Sequence, residues 1–204
     1  MRLVLASGSP RRASVLRQLG LDFEVMIPDV DETGRLGETP RALAERLARA
    51  KARHGAREGA LALGFDTLVA HGPDILGKPG SPGEARQMLM RLSAGEHVVF
   101  TGIAAASVER IESEVVTTRV RFRRIERWEV DAYVDTGEPM DKAGAYGIQG
   151  MGAALVESVE GDFFNVMGFP IQAFQRLLER FELRYEFGSS LGPAIDPVRS
   201  VGGD

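Results

Sequence analysis

The run Ala6-Ser7-Gly8-Ser9-Pro10-Arg11-Arg12 constrains this chain more than any other stretch. It follows an apolar strand candidate, Leu3-Val4-Leu5, and precedes Val15, Leu16 and Leu19 at helical spacing. Ser9 before Pro10 reads as an N-cap followed by proline at the first helical position. The order is therefore strand, small-residue loop, helix N-terminus. Free backbone N–H groups and the positive end of the helix dipole favour an anion there. Cations in a first turn work against that dipole, so Arg11 and Arg12 need another reason, and a bound polyphosphate supplies one. A surface loop with solvated arginines is the plainer alternative.

A length of 204 residues suits a single domain, here 1–187, with residues 188–204 reading as a C-terminal tail where the apolar signal fades into Gly, Ser and Pro. The 44% hydrophobic and 26% charged content is that of an ordinary globular chain. A net charge of −4 argues against a general nucleic-acid binder, so any anion site must be local. With no cysteine, disulfides, thiolate metal sites and thiol nucleophiles are excluded. The N-terminal apolar run is too short for a signal peptide, and no stretch approaches about 18 apolar residues, so a cytoplasmic protein without a membrane span is expected.

Strand and helix signals alternate along the chain. Phe23–Met26 reads as a strand, followed by the acidic loop Asp29-Val30-Asp31-Glu32 and a helix from Thr39-Pro40 to about His54. Leu61 to Ala70 reads as an apolar strand interrupted by Asp66-Thr67. The loop Ile75–Gly80 leads into a helix capped at Ser81-Pro82 and stopped near Gly95. His97–Ser107 and Val115–Phe122 read as a hairpin across Glu109-Arg110. Trp128–Val134 reads as a short helix, Ala153–Val159 as a strand and Pro170–Phe181 as a helix. The fold class expected is α/β with a mixed sheet.

Several ionisable residues sit where packing alone would not place them. Asp66 lies among Leu63, Phe65, Leu68 and Val69, so it either forms a turn, ends the strand at a cleft, or is held by a cation or metal. Lys51 lies on the apolar face of its helix, either as a snorkelling lysine or as a site residue. Lys78 sits in a Gly-Lys-Pro turn, and Glu32 in the acidic loop. Together, carboxylates and cations on loops and strand ends are the parts of metal-assisted phosphoryl chemistry.

A second dense segment runs from Glu138 to Gly150. Ala143, Gly144, Ala145 and Gly147 permit close backbone approach to a ligand, and Asp141, Lys142, Tyr146 and Gln149 stand around them. Lys142 and Gln149 are its substrate-binding candidates; a tight turn with incidental side chains is the alternative. Arg119, Arg121 and Arg123 alternate with Val120 and Phe122, the outward face of a strand. His54, His71 and His97 are scattered without metal-ligand spacing, and neither Ser7 nor Ser9 has a histidine partner in view.

In order, the chain carries Ala-Ser-Gly-Ser-Pro-Arg-Arg at 6–12, Asp-Glu at 31–32, Ala-Lys-Ala at 50–52 and Asp-Thr at 66–67. It continues with Ile-Leu-Gly-Lys-Pro at 75–79, Thr-Gly at 101–102, Asp-Lys-Ala-Gly-Ala-Tyr-Gly-Ile-Gln-Gly at 141–150 and Asn-Val-Met-Gly-Phe-Pro at 165–170. With these segments the chain resembles the Maf family of nucleoside triphosphate pyrophosphatases from Leu3 to about Phe181. The resemblance implies a mixed, twisted sheet with flanking helices and two lobes around a cleft, similar to the inosine triphosphatase fold. It implies hydrolysis between the α- and β-phosphates with a divalent cation, Mg²⁺ or Mn²⁺. Carried over, the proton acceptor matches Asp66, and the phosphate-handling groups match Ser7, Arg12, Lys51 and Lys78. Glu32 is assigned to metal or water, with Asp66 the second metal ligand.

Arg11, Thr67 and Gln149 match the branch acting on dTTP and UTP, the alternative being the 7-methyl-GTP branch. Phe65 stands where an alanine commonly precedes Asp-Thr, which implies a reshaped pocket wall beside Asp66, and Phe169 stands where leucine is frequent. The expected partner is the nucleoside triphosphate, with a homodimer as one assembly and neither nucleic acid nor membrane. A rival reading is a regulatory binding role in septum formation, with which the family name is associated.

Overall fold

Residue size alternates along one central strand, and that alternation organises the molecule. In the computed structural model, which describes residues 1–187 and 190–193, the chain opens with β1 (Arg2–Ala6), α1 (Pro10–Gln18) and β2 (Phe23–Met26). Then come α2 (Pro40–Gly55), β3 (Ala60–His71), a short β4 (Asp74–Leu76) and α3 (Pro82–Leu92). The hairpin β5 (Glu96–Ala106) and β6 (Ile111–Phe122) leads to α4 (Arg127–Asp135) and a run of 3₁₀ turns. The chain closes with β7 (Val156–Glu160), α5 (Phe163–Val166), α6 (Ile171–Arg180), β8 (Leu183–Glu186) and β9 (Ser190–Pro193). The main sheet has the order β2-β1-β3-β5-β6-β7, with β4 paired to β3. β1 runs parallel to β2 and β3, and the remaining pairings are antiparallel, so the sheet is mixed as expected.

On β3, Leu61, Leu63 and Phe65 point to one face and join the main core with Leu5, Leu16, Leu89, Ile103 and Phe174. Ala62, Gly64 and Asp66 therefore point to the other, where α2 lies. That helix buries Ala44, Ala48 and Ala52, one turn apart. A Cβ on Gly64 would collide with the backbone of Ala48 and Ala52, and one on Gly102 with the Ala44 carbonyl. The α2 backbone thus rests directly on β3 and β5, which brings Lys51 within reach of Asp66.

Several boundaries differ from the sequence reading. β3 is not interrupted: Asp66 pairs with Gly102 and Thr67 with Thr101 in an unbroken ladder. The strand expected from Ala153 begins at Val156, because Met151–Leu155 coil into a 3₁₀ turn. β6 starts at Ile111 rather than Val115, since Ser107 N–H donates to the Arg110 carbonyl at 2.9 Å and closes the turn early. Within the segment read as a tail, Ser190–Pro193 pair with β8, and the Tyr185 hydroxyl ties that ribbon to the Leu19 carbonyl at 2.7 Å. The rest of that segment, 188–189 and 194–204, lies outside the described residues. Arg119 and Arg121 do face solvent, near Glu160 and Glu96. His97 is buried, and its Nε2 meets the Tyr146 hydroxyl at 2.9 Å; burial, with a smaller push from His71, lowers its imidazole to about 4. It is a neutral core residue. Among the described residues no helix is long and apolar enough to cross a membrane.

Candidate active site

A cleft of about 980 Å³ opens beyond the carboxyl end of β1. One wall is the α1 N-terminus with α2 and β3, and the other is the segment 138–150. Every site residue expected from sequence lines it: Ser7, Arg11, Arg12, Glu32, Lys51, Asp66, Thr67, Lys78, Lys142 and Gln149. Ile27, Leu43 and Leu47 add apolar lining that the sequence reading did not assign. The two leucines carried only a helix-face signal, which core and cleft residues share.

Lys51 does not snorkel out to water. Its Nζ lies 2.7 Å from Asp66 Oδ1 and 2.6 Å from Glu32 Oε1. Lys51 and Asp66 are buried, whereas the Glu32 side chain is 62% exposed. Asp66 Oδ2 is buried without a hydrogen-bond partner among the described residues. Desolvation raises the Asp66 carboxyl above the ordinary carboxylate range; Lys51 and Arg12 counter this, and Glu32 adds to it. A buried carboxylate with one ammonium partner and one free oxygen has the properties of a general base. The turn-forming reading of Asp66 does not hold.

The loop before α1 is built differently from the expected cap. Ser9 is the N-cap residue, yet its side chain makes no capping bond. Ser7 Oγ instead accepts from the Ser9 N–H at 3.2 Å and from Arg12 Nη1 at 2.9 Å. Arg12 also donates through Nε to the Gly168 carbonyl (3.0 Å) and through Nη2 to Thr67 Oγ1 (3.0 Å). Desolvation lowers this guanidinium to about 10, which leaves it charged at neutral pH. Thr67 Oγ1 further meets Thr101 Oγ1 at 3.0 Å, so within the protein Thr67 holds Arg12. Phe65 points away from Asp66, stacks on Phe169 at 4.7 Å and lies under Arg12 at 5.3 Å. The expected reshaping of the wall beside Asp66 is thereby corrected: the two departures from the family pattern pack on each other in the core. Strand alternation was the signal that could have placed Phe65 there.

At the other end, Arg11 Nη1 pairs with Asp141 Oδ2 at 3.0 Å, and Lys142 Nζ with Asp141 Oδ1 at 2.5 Å. Hydrogen bonds from Lys142 and Arg11 hold the Asp141 carboxyl below its ordinary value against partial burial. Lys78 and Gln149 are exposed on the cleft. Among the described residues no three His, Asp or Glu converge into a metal cage. Glu32 and Asp66 nevertheless face one cleft, and Asp66 Oδ2 lacks a partner. Carboxylate oxygens suit Mg²⁺ or Mn²⁺, but Lys51 bridges Glu32 and Asp66, so the free Asp66 Oδ2 can take a metal or a proton and not both.

A family model described as Maf-like protein matches residues 2–181. Among curated relatives, a dTTP/UTP pyrophosphatase of Symbiobacterium thermophilum is 47% identical over 185 residues, covering 88% of this chain and 94% of the relative. Those of Myxococcus xanthus and Vibrio cholerae are 49% and 43% identical, covering 87% and 88% of this chain and 91% and 98% of the relatives.

Proposed function

Because this chain belongs to the Maf family, we propose that it hydrolyses dTTP and UTP at the anhydride between the α- and β-phosphates, releasing the monophosphate and pyrophosphate. The observation that carries this reading is Asp66, buried with a free oxygen, beside Lys51 in a cleft that also holds Arg12. A water bonds to phosphorus while its proton passes to Asp66 Oδ2, and the bond to the bridging oxygen breaks with its electron pair on pyrophosphate. Lys51, paired to Oδ1, favours the ionised form of Asp66 against the burial that raises it. Arg12, whose Nε, Nη1 and Nη2 donate to Gly168, Ser7, Phe65 and Thr67, gives the phosphates a fixed positive charge, and Lys78 a mobile one. Glu32 would hold Mg²⁺ or Mn²⁺, which would supply Lewis-acid neutralisation of the phosphate charge; Asp66, also expected as a metal ligand, keeps Oδ1 on Lys51 and Oδ2 for the proton.

Gln149 reads the base. Its amide offers one donor and one acceptor, matching the O4 acceptor and N3–H donor of uracil and thymine. The cytoplasm, where these nucleotides are made and used, is the proposed location. The test is pyrophosphate release from dTTP, UTP, CTP and 7-methyl-GTP with Mg²⁺. Release from dTTP and UTP is expected; no release, or release chiefly from 7-methyl-GTP, overturns the reading.

A further inference from the structure

Gln149 projects into the cleft with no polar partner of its own among the described residues, so the backbone that carries it decides where its amide lies. That backbone is held from beneath. Glu138 Oε2 accepts from the Met151 N–H at 2.9 Å, and Oε1 accepts from the Gly152 N–H at 3.1 Å and the Tyr133 hydroxyl at 2.8 Å. The Tyr133 oxygen in turn accepts from the Gly147 N–H at 3.0 Å. Both sides of Gln149 are therefore tied to one carboxylate–phenol pair. A Cβ on Gly150 would overlap the Glu138 carboxylate, and one on Gly152 would crowd the Tyr133 oxygen, so the loop wraps more closely than any side chain would permit. Tyr133 lies on α4, so the loop is fastened to a helix rather than to another loop.

We propose that Glu138, backed by Tyr133, is a positioning residue for base recognition: the pair sets the loop that aims Gln149 and thereby the discrimination of the pyrimidine edge. Glu138 does not itself read the base, because three protein donors already occupy its carboxylate. The inference rests on the reading that Gln149 meets the base. It differs from the phosphate chemistry, since neither Glu138 nor Tyr133 hydrogen-bonds to Asp66, Lys51 or Arg12.

The experiment is a double-mutant cycle with UTP as substrate, using Glu138→Gln, Gln149→Ala and the pair together. Glu138→Gln turns an N–H donor toward backbone N–H groups, and about a tenfold rise in KM is expected, with kcat changed less than about threefold. On the Gln149→Ala background the same change is expected to add less than about twofold, because there is no amide left to misplace. Tyr133→Phe removes the acceptor of the Gly147 N–H and one of the three donors to Glu138 but leaves the Met151 and Gly152 bonds, and a smaller rise, about threefold, is expected with the same loss of effect beside Gln149→Ala. If thermal unfolding shows that Glu138→Gln does not fold, Tyr133→Phe carries the test under the same criterion. A fall confined to kcat, or an effect that persists in full on the Gln149→Ala background, overturns the proposal. Wild-type protein that does not cleave UTP, or Gln149→Ala with an unchanged KM, instead strikes the base-recognition reading itself, and this inference with it.

Discussion

At one end of the cleft the Lys51 side chain is 9% exposed, clamped between Asp66 and Glu32; at the other, Gln149 stands in solvent on a loop held through its backbone. The buried end is built from charges that pair with one another, Asp66 Oδ2 excepted. The exposed end is built from small residues over the Glu138 carboxylate, with the Gln149 amide unpaired among the described residues. Changes at the buried end therefore alter chemistry and the balance of ionised groups together. On the proposed reading, changes at the exposed end should alter selectivity with little effect on the fold.

The change expected to strain this contrast most is Asp66→Asn. The amide oxygen still accepts from Lys51, so the fold should hold, but a proton acceptor is lost and kcat should fall about 10²-fold or more. The wild-type kcat/KM profile should lose activity as pH falls through a value above the ordinary carboxylate range, because burial raises Asp66. A raised folded value also means that ionising Asp66 costs stability, so that stability is greatest below the unfolded value and declines as pH rises through the folded one. Asp66→Asn should abolish both dependences. Near-normal turnover in the variant would remove Asp66 from the mechanism.

Lys51→Met comes next. Without the ammonium, Asp66 loses its main counter-charge and is pushed further up, so kcat/KM should fall about 30-fold at neutral pH and the acid limb should move to higher pH. Asp66 can escape as a neutral acid, so Tm should change little. An unchanged pH profile would show that Lys51 does not set the ionisation of Asp66.

Gln149→Glu probes the exposed end. It faces the pyrimidine O4 with a carboxylate and should cost UTP about 1–3 kcal/mol in kcat/KM, with Tm unaltered. An unchanged ratio of UTP to 7-methyl-GTP cleavage would deny Gln149 any part in reading the base. The smallest effect belongs outside the cleft: Arg119→Ala and Arg121→Ala remove exposed side chains 3.9 Å from their acidic neighbours. Stability should move within about 0.5 kcal/mol and kcat/KM should not move, as a denaturation curve and a UTP assay would show.

The cleft's composition was legible in the chain because its residue types are rare where they stand. An aspartate inside an apolar strand, a lysine on an apolar helix face and paired arginines after Ser-Pro each conflict with local packing, and each proved to line the site. Helix starts were legible for the same local reason: Thr39 and Ser81 cap their helices through the N–H groups of Ala42 and Glu84, three residues on.

What the tertiary structure alone decided was which group meets which. Whether Asp66 ends a strand, turns the chain or binds a cation depends on how closely α2 approaches the sheet, and that distance is set by Gly64 and Gly102. Neither glycine announces a partner in the helix. Ser7 rather than Ser9 serves the arginine because Arg12 is drawn inward by Gly168 and Thr67, each far away in the chain. Glu138 gave no local sign of holding Met151 and Gly152, nor Tyr133 of holding Gly147, since those hydrogen bonds run to backbone N–H groups that every residue but proline carries. Periodicity and capping act over three or four residues and are written in the chain itself. Charge pairing and backbone anchoring act across the fold, and only the packed structure selects their partners.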